Sequence, residues 1–560
     1  MFKKTDPNPQ LDIFTAPSMQ LGSRASKKYS DPNAWHNQFY SLVTTKINEE
    51  IFKPLFPEGK KCGRPNASIR ILVAMSALKE GFGCSDEDLF EKCEFDLLTR
   101  KALGMELLTD VTPSIDTYYL FRRRICEYQE RTGIDLMQLC FEQLAGNQVR
   151  LLKISGKCVR MDSKLIGSNI ARQSRYELIH TTLVKFLKTC TLSDLSPEQE
   201  ERAKEYLKED SSKTVYRSDS DTLQSNLARI GNFIMEMLAT FPATSPAHDL
   251  LQRLFDEQYA VKDGKAVLRD KKEVKADSLQ NPNDPDATYR AKNDQKVQGY
   301  VTNITETVEE GKPNIITSVQ VETAVFADCH FLQEAVENSE RVTDSTIEDL
   351  YADGAYQSPD NREFAKNHNA MQLKTGKMQG GCRWELIPHD EDGLTVREIA
   401  TGNTYEAVKA VTKQGSRKRW RIPWNNKTGW RYFEDKDIKA YQLRKQIESL
   451  PLEEQHKRNN VEAAMFQYSF HTRKGKTRYR GLLKHRMHAY SRCMWMNLRR
   501  MVIFQISTFQ RSIFALFGPI REAFGSFQAI SRKIFTSGAD CYVSLRMTTL
   551  ARLDSKYVPF

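Results

Sequence analysis

The sequence predicts a mixed α+β / α/β fold: a mixed sheet with flanking helices, preceded by an all-helical domain and interrupted by a helical insertion and a small β-rich insertion. Three observations predict it. Apolar residues recur at helical spacing between residues 66 and 150. Strand-like runs then alternate with helical ones, as in KCVRMDSKLIGSNI, KVQGYVTNITETV and NIITSVQVETA. Finally, 560 residues suffice for two to four domains and a full core.

Residues 1–50 are polar and rich in turn signals such as Asp6-Pro7-Asn8-Pro9, which predicts a loose arm with a helix starting near Asp31. From Asn66, Ile69, Leu72, Val73, Ser76 and Ala77 share one helical face, and Gly81 is the expected stop. Ser85-Asp86-Glu87-Asp88 opens a second helix with a capping-box pattern, and a third begins near Ser114 and carries Arg122, Arg123 and Arg124. Such a domain suits either DNA positioning or dimerisation.

At Gly156 the texture turns to strand, with Asp162 expected at the strand's end. A helical stretch follows, opened by Ser196-Pro197-Glu198-Gln199, and VKADSLQNPNDPDATYRAKNDQK reads as a loop. Two strands joined at Glu310-Gly311-Lys312 come next, then a helix from about Phe331 to Asn338 and an apolar run ending at Asp353 before a Gly354 turn. AMQLKTG predicts one more strand, and the stretch from Gly376 to about Asp437 a small β unit. There Trp420, Trp424 and Trp430 lie among arginines and lysines, a composition suited to stacking on bases or to filling a core. After Pro451, Val461, Ala464, Met465 and Tyr468 mark a helix that carries Glu462, with Arg458 on its face.

The chain has 83 Lys and Arg against 72 Asp and Glu, a net charge of +11, and its last third is basic. That asymmetry points to an anionic partner, nucleic acid before membrane. Eleven cysteines occur without a CxxC pair, so neither a structural zinc nor a disulfide framework is expected. The apolar run from Met501 is broken by Gln505, Gln510 and Arg511 and predicts a buried or docking helix rather than a membrane span.

Asp162, Asp353 and Glu462 thus stand out as carboxylates on rigid elements, which two divalent cations flanking a scissile phosphate would require. Five motifs in order sharpen the reading. RPNASIRILVAMSALKEGFGCSDEDL with PSIDTYYLFRRRI, CVRMDSKLIGSN, DPDATYRAKNDQKVQGYVTNITETV, LYADGAYQS and RNNVEAAMF together resemble the DDE transposases of bacterial insertion sequences. The resemblance runs from about Ile51 to Arg500. It implies a ribonuclease H-like core in which Asp162, Asp353 and Glu462 are catalytic and hold two Mg²⁺ ions, Mn²⁺ being a substitute. Relatives carry Tyr-x2-Arg-x3-Glu-x6-Lys around the glutamate; here Arg458 and Glu462 fit, while Gln455 and Ser469 replace the tyrosine and lysine.

The expected division is a polar arm over 1–50, a helical DNA-binding or dimerisation domain over 51–150, a catalytic domain over 151–510 and a tail over 511–560. Within the catalytic domain the helical insertion spans about 165–290 and the β-rich one about 376–437. Expected DNA contacts are Arg458, Arg473, Lys474, Lys476, Arg478, Arg480, Lys484, Arg122 and Arg123, with Trp424 or Trp430 holding a flipped base. Arg473, Lys474 or Lys476 is expected to stand in for the missing lysine. The implied partners are double-stranded DNA, as element ends and target, and a second protomer in a synaptic complex, with no membrane and no small-molecule substrate. The implied setting is the nucleoid of the bacterial cytoplasm. The rival readings are a nuclease that cuts without joining and a DNA-binding descendant with a degraded site.

Overall fold

The computed structural model describes residues 2, 4, 17–56, 66–242, 245–292, 295–375, 382–389, 393–410, 419–424, 429–449, 451, 454, 457 and 461–523. Side chains within the last helix are described as far as Thr508. Arg458 and Gln455 lie outside the described residues, and Trp424 is described in its backbone alone.

The central sheet has six strands. They are β1 (Cys158–Gly167), β4 (Thr288–Lys292), β5 (Gln295–Thr307), β6 (Ile316–Thr323), β7 (Asp349–Ala352) and β8 (Gln372–Thr375). β5 runs antiparallel to β1 on one side and to β4 and β6 on the other, while β7 and β8 run parallel to β1. This mixed sheet, its flanking helices, the amino-terminal helices and a separate antiparallel sheet make up the fold class that the sequence predicts. Two details differ. β4 and β5 form a hairpin from a stretch that reads as loop, because Thr288–Lys292 extends the sheet once β5 offers its edge. The helix expected from Phe331 is a 3-10 turn over Asp328–Phe331 followed by a helix over Leu332–Thr343.

The amino-terminal helices are well signalled. Ser68 caps Ile69–Phe82, Ser85 and Asp88 form the capping box of Asp86–Phe95, and Ser114 caps Ile115–Thr132. The first of these runs two residues past its expected end and stops at Gly83, whose φ of 66° closes it. Gly81 lies inside the helix because a Cβ there would come within 2.3 Å of the Trp495 ring.

The described part of the expected arm is folded. Pro17–Gln20, Ser23–Tyr29 and Trp35–Leu42 are helical, and Phe39, Val43 and Ile47 are buried. The helix expected near Asp31 begins at Trp35, and the two short helices before it were hidden in a polar composition.

One hydrophobic core runs through Phe39, Met75 and Phe141, the sheet residues Ile166, Tyr300 and Ile304, and Tyr468 and Trp495 near the carboxy terminus. Helices from Arg175–Leu187 to Pro246–Gln258, with a hairpin of β2 (Tyr259–Lys262) and β3 (Lys265–Leu268), enclose a second core. The five-stranded antiparallel sheet comprises β9 (Trp384–His389), β10 (Gly393–Glu398), β11 (Thr404–Ala410), β12 (Arg419–Trp424) and β13 (Gly429–Glu434). One face packs Trp420, Ile422 and Phe433 against Ile438 and Tyr441 of the Asp435–Glu448 helix. The chain returns through a helix over Val461–Ser469 and a long one over Leu482–Ala523, in which Met501 and Val502 are buried. No described helix is long and apolar enough to cross a membrane.

Candidate active site

Asp162 sits fifth among the ten residues of β1, not at the strand's end as expected, because the antiparallel ladder with β5 continues past it. What ends there is the parallel partner. Cys158, Val159 and Arg160 pair with Asp349, Leu350 and Tyr351, and the same register carried two residues on sets Asp353 opposite Asp162. Neighbouring strands lie about 4.8 Å apart, so the two aspartates are adjacent. Asp353 caps the Gly354–Tyr356 turn, its Oδ1 accepting from the Gly354 amide at 2.7 Å. Asp162 Oδ1 accepts from the Ser163 amide at 2.8 Å.

Burial pushes the Asp162 carboxyl up to about 6; the Ser163 amide opposes the rise, and the Asp353 charge adds to it. Lys292 and Asp328 act on it from further away with opposite signs. Asp328 is buried and held by Arg290 at 2.9 Å and Lys292 at 3.8 Å. The Tyr356 hydroxyl donates to Asn303 Oδ1 at 2.6 Å. Burial, Asp162 and Asp328 hold that phenol well above its usual range.

Strand alternation puts Arg160, Asp162 and Lys164 on one face of β1. Arg160 donates to the Lys457 carbonyl at 2.8 Å and Lys164 to the Ser469 hydroxyl at 2.7 Å. The segment between 457 and 469, which carries Glu462, is therefore fastened to β1 on both sides of Asp162. Glu462 itself is exposed in the first turn of its helix, whose buried face is Val461, Ala464, Met465 and Tyr468. Among the described residues, no three His, Cys, Asp or Glu side chains gather closely enough to hold a metal ion. The structure thus brings Asp162 and Asp353 together and leaves Glu462 on the neighbouring helix.

Sequence reasoning missed Lys164. The position where the resembled pattern has lysine holds Ser469, and an ammonium group stands there all the same, supplied by β1. The alternation Arg160-x-Asp162-x-Lys164 was the available signal. Of the three expected stand-ins, Lys476 lies elsewhere. Lys474 and Gly475, with φ of 51° and 73°, form a tight turn closed by mutual bonds between Arg473 and Lys476. This turn docks on the end of β1 at Gly167, and Lys476 is committed to the Ile170 carbonyl at 2.6 Å.

The remaining basic candidates split by role. Arg122 is largely buried, its guanidinium 5.4 and 5.3 Å from the Tyr118 and Tyr479 ring centres. Arg478 and Arg480 donate to the Gly83 and Asn169 carbonyls, each at 2.7 Å, yet stay exposed, as do Arg123 and Lys484. These five line one cleft. Trp430 is 49% exposed on the open face of the small sheet, under the Arg421 guanidinium at 4.2 Å, whereas Trp420 is core.

Residues 28–124 match the family of the transposase domain (DUF772), a span from the first helices to Arg124 that includes Arg122 and Arg123. Comparison with curated proteins gave no match, nor did comparison with solved structures.

Proposed function

We propose that the chain is a DNA transposase that cuts and joins DNA by metal-dependent phosphoryl transfer, with Asp162, Asp353 and Glu462 as its metal-holding carboxylates. The observation that carries this reading is the placement of Asp353 opposite Asp162, in a chain whose residues 28–124 match a transposase domain. The strand order β6-β5-β1-β7-β8, with β5 alone reversed, supports a ribonuclease H-like core.

Hard divalent cations take oxygen ligands, and two adjacent carboxylates of which one is pushed up to about 6 suit such a charge. Mg²⁺ or Mn²⁺, when bound, would polarise the phosphate and lower the pKa of a water. The chain's own groups do the orienting. The Ser163 and Gly354 amides fix one oxygen of each aspartate. Lys164, on the Asp162 face, stands ready to hold a phosphate oxygen, and its 2.7 Å bond to Ser469 keeps the Glu462 helix alongside. Glu462 would complete the set from the first turn of that helix by swinging in from its exposed position. No serine or tyrosine nucleophile is needed for direct attack at phosphorus, and Tyr356 is already occupied by Asn303. Two protomers would synapse two DNA ends.

The test is a labelled duplex from the DNA flanking the coding sequence, incubated with target plasmid in Mg²⁺ and in EDTA. Metal-dependent joining of 3′ ends, abolished in Asp353→Asn and Glu462→Gln while binding survives, is the expected result. Nicking without joining would identify a nuclease. Binding without either activity would identify a DNA-binding descendant, a reading that the exposed, ungrouped Glu462 favours.

A further inference from the structure

A cleft of about 890 Å³ opens beside the Ile115–Thr132 helix. One wall is that helix's outer face, where Asp116, Tyr119 and Arg123 recur at helical spacing. The other wall is Arg478, Arg480 and Lys484, from a segment more than 350 residues later in the chain. Arg122 forms part of the lining from its place between two tyrosine rings, and Asn169, just past the end of β1, lies at the cleft's edge.

The lining is cationic. Of its two acids, Asp86 is already paired with Lys79 at 2.5 Å, which leaves Asp116 against the exposed arginines and the lysine. A concave wall of one charge sign focuses the potential and favours a polyanion over a small neutral ligand. Neither wall is cationic enough alone; the fold makes the site by apposing them.

We propose that this cleft seats the phosphate backbone of the duplex being cut, its Asn169 edge no more than about seven base pairs from the scissile phosphate. The proposal rests on reading the chain as a transposase. The spacing comes from β1. Asn169 lies seven residues beyond Asp162, at most about 23 Å of extended strand. A duplex advances about 3.4 Å per base pair. The wall helix belongs largely to the matched transposase domain, so a rigid strand, not a flexible linker, sets the distance between that domain's DNA contact and the aspartate pair.

The experiment uses the full chain and the double variant Arg123→Ala/Lys484→Ala, both surface side chains, Arg123 making only a 3.5 Å pair with Glu127. The first readout is binding of a 40-base-pair duplex of arbitrary sequence across a salt series. The slope of log K against log salt is expected to become shallower by about 1.8, about 0.9 for each lost phosphate contact. An unchanged slope overturns the proposal. The second readout is cleavage of duplexes shortened stepwise on the protein-bound side of the cut. Wild-type rates are expected to fall at least tenfold once fewer than about seven base pairs remain, and the double variant is expected to be slow at every length. A shallower slope with no dependence on length reduces the cleft to a general polyanion site and overturns the placement. Absence of cleavage by wild type on every duplex counts against the transposase reading alone, because the salt slope still decides whether the cleft binds DNA.

Discussion

The amino-terminal helices and the five-stranded sheet are both built around tryptophans, yet they join the rest of the molecule in opposite ways. Trp495, from the last helix, is driven into the first region and packs on Trp35, Phe39 and Phe82 with ring centres 5.4 to 6.2 Å apart. Gly81 supplies the space. Beside it Glu80 accepts from His488 at 2.7 Å and from the Tyr479 hydroxyl, both from the far end of the chain. By contrast, Trp420 and Trp384 of the five-stranded sheet are buried among residues of that sheet and its own helix. The first region is part of the central core, and the second carries a core of its own. A DNA contact on the first would be held rigidly to the aspartates; an insertion with a private core is free to vary without disturbing them.

The largest effect expected from breaking this comparison is at the junction. Trp495→Ala should cost about 3–5 kcal/mol and lower the main unfolding transition. The same change at Trp420 should cost a similar amount locally but leave that transition and duplex binding in place. Urea melts monitored by far-UV circular dichroism, with duplex binding measured on each variant, decide it; equal loss of both signals in the two variants would erase the distinction.

Glu80 comes next. Burial pushes its carboxyl up, but His488, Lys79 and the Tyr479 hydroxyl outweigh burial and hold it at about 2. A carboxyl depressed from 4.5 stabilises the fold above pH 4.5 and loses that contribution as pH falls towards 2, about 3 kcal/mol in all. Glu80→Gln should therefore be destabilised at pH 6, by less than half as much at pH 3, and approach wild type only below about pH 2. A parallel pH dependence for both proteins would show that the network does not tie the two ends together.

Asp162 has the opposite sign. Its carboxyl is raised from 3.8 to about 6, so the folded state prefers it protonated, and stability is lost as pH rises through that window. In EDTA, Asp162→Asn should raise stability by roughly 1–3 kcal/mol at pH 7.5 and by nothing at pH 3.5. Mg²⁺ should raise the melting temperature of wild type only, which ties the strain to the site and not to the core.

The smallest effect belongs to the open face of the small sheet. Trp430→Ala should cost less than about 1 kcal/mol, since it removes a half-exposed ring and one Arg421 contact. A larger loss would mean that this face supports the sheet after all.

Much of the fold was legible because its signals are local. The caps at Ser85, Ser114 and Ser196 act within three residues, and the buried stripe of the Glu462 helix repeats at three- and four-residue spacing. Of the helices before residue 50 the one over Trp35–Leu42 was legible, near Asp31, while Pro17–Gln20 and Ser23–Tyr29 were not, since short pieces there are diluted by polar residues. The candidate site could be named from the sequence by residue type, whereas its arrangement could not. Lys164 was overlooked because its meaning depends on which helix lies over β1, and Lys476 was expected near the aspartates although its ammonium faces Ile170.

Periodicity, caps and charge are properties of neighbouring residues, so the alternation of helices and strands and the basic character of the last third are readable without the fold. The tertiary fold alone sets Asp353 beside Asp162, bonds the Lys164 ammonium to Ser469 and turns Arg123 and Lys484 towards the same cleft. Those pairings depend on strand register and on one core that gathers both ends of the chain, and hydrophobic burial, which drives that gathering, is non-directional and leaves no local signature of which segments will meet.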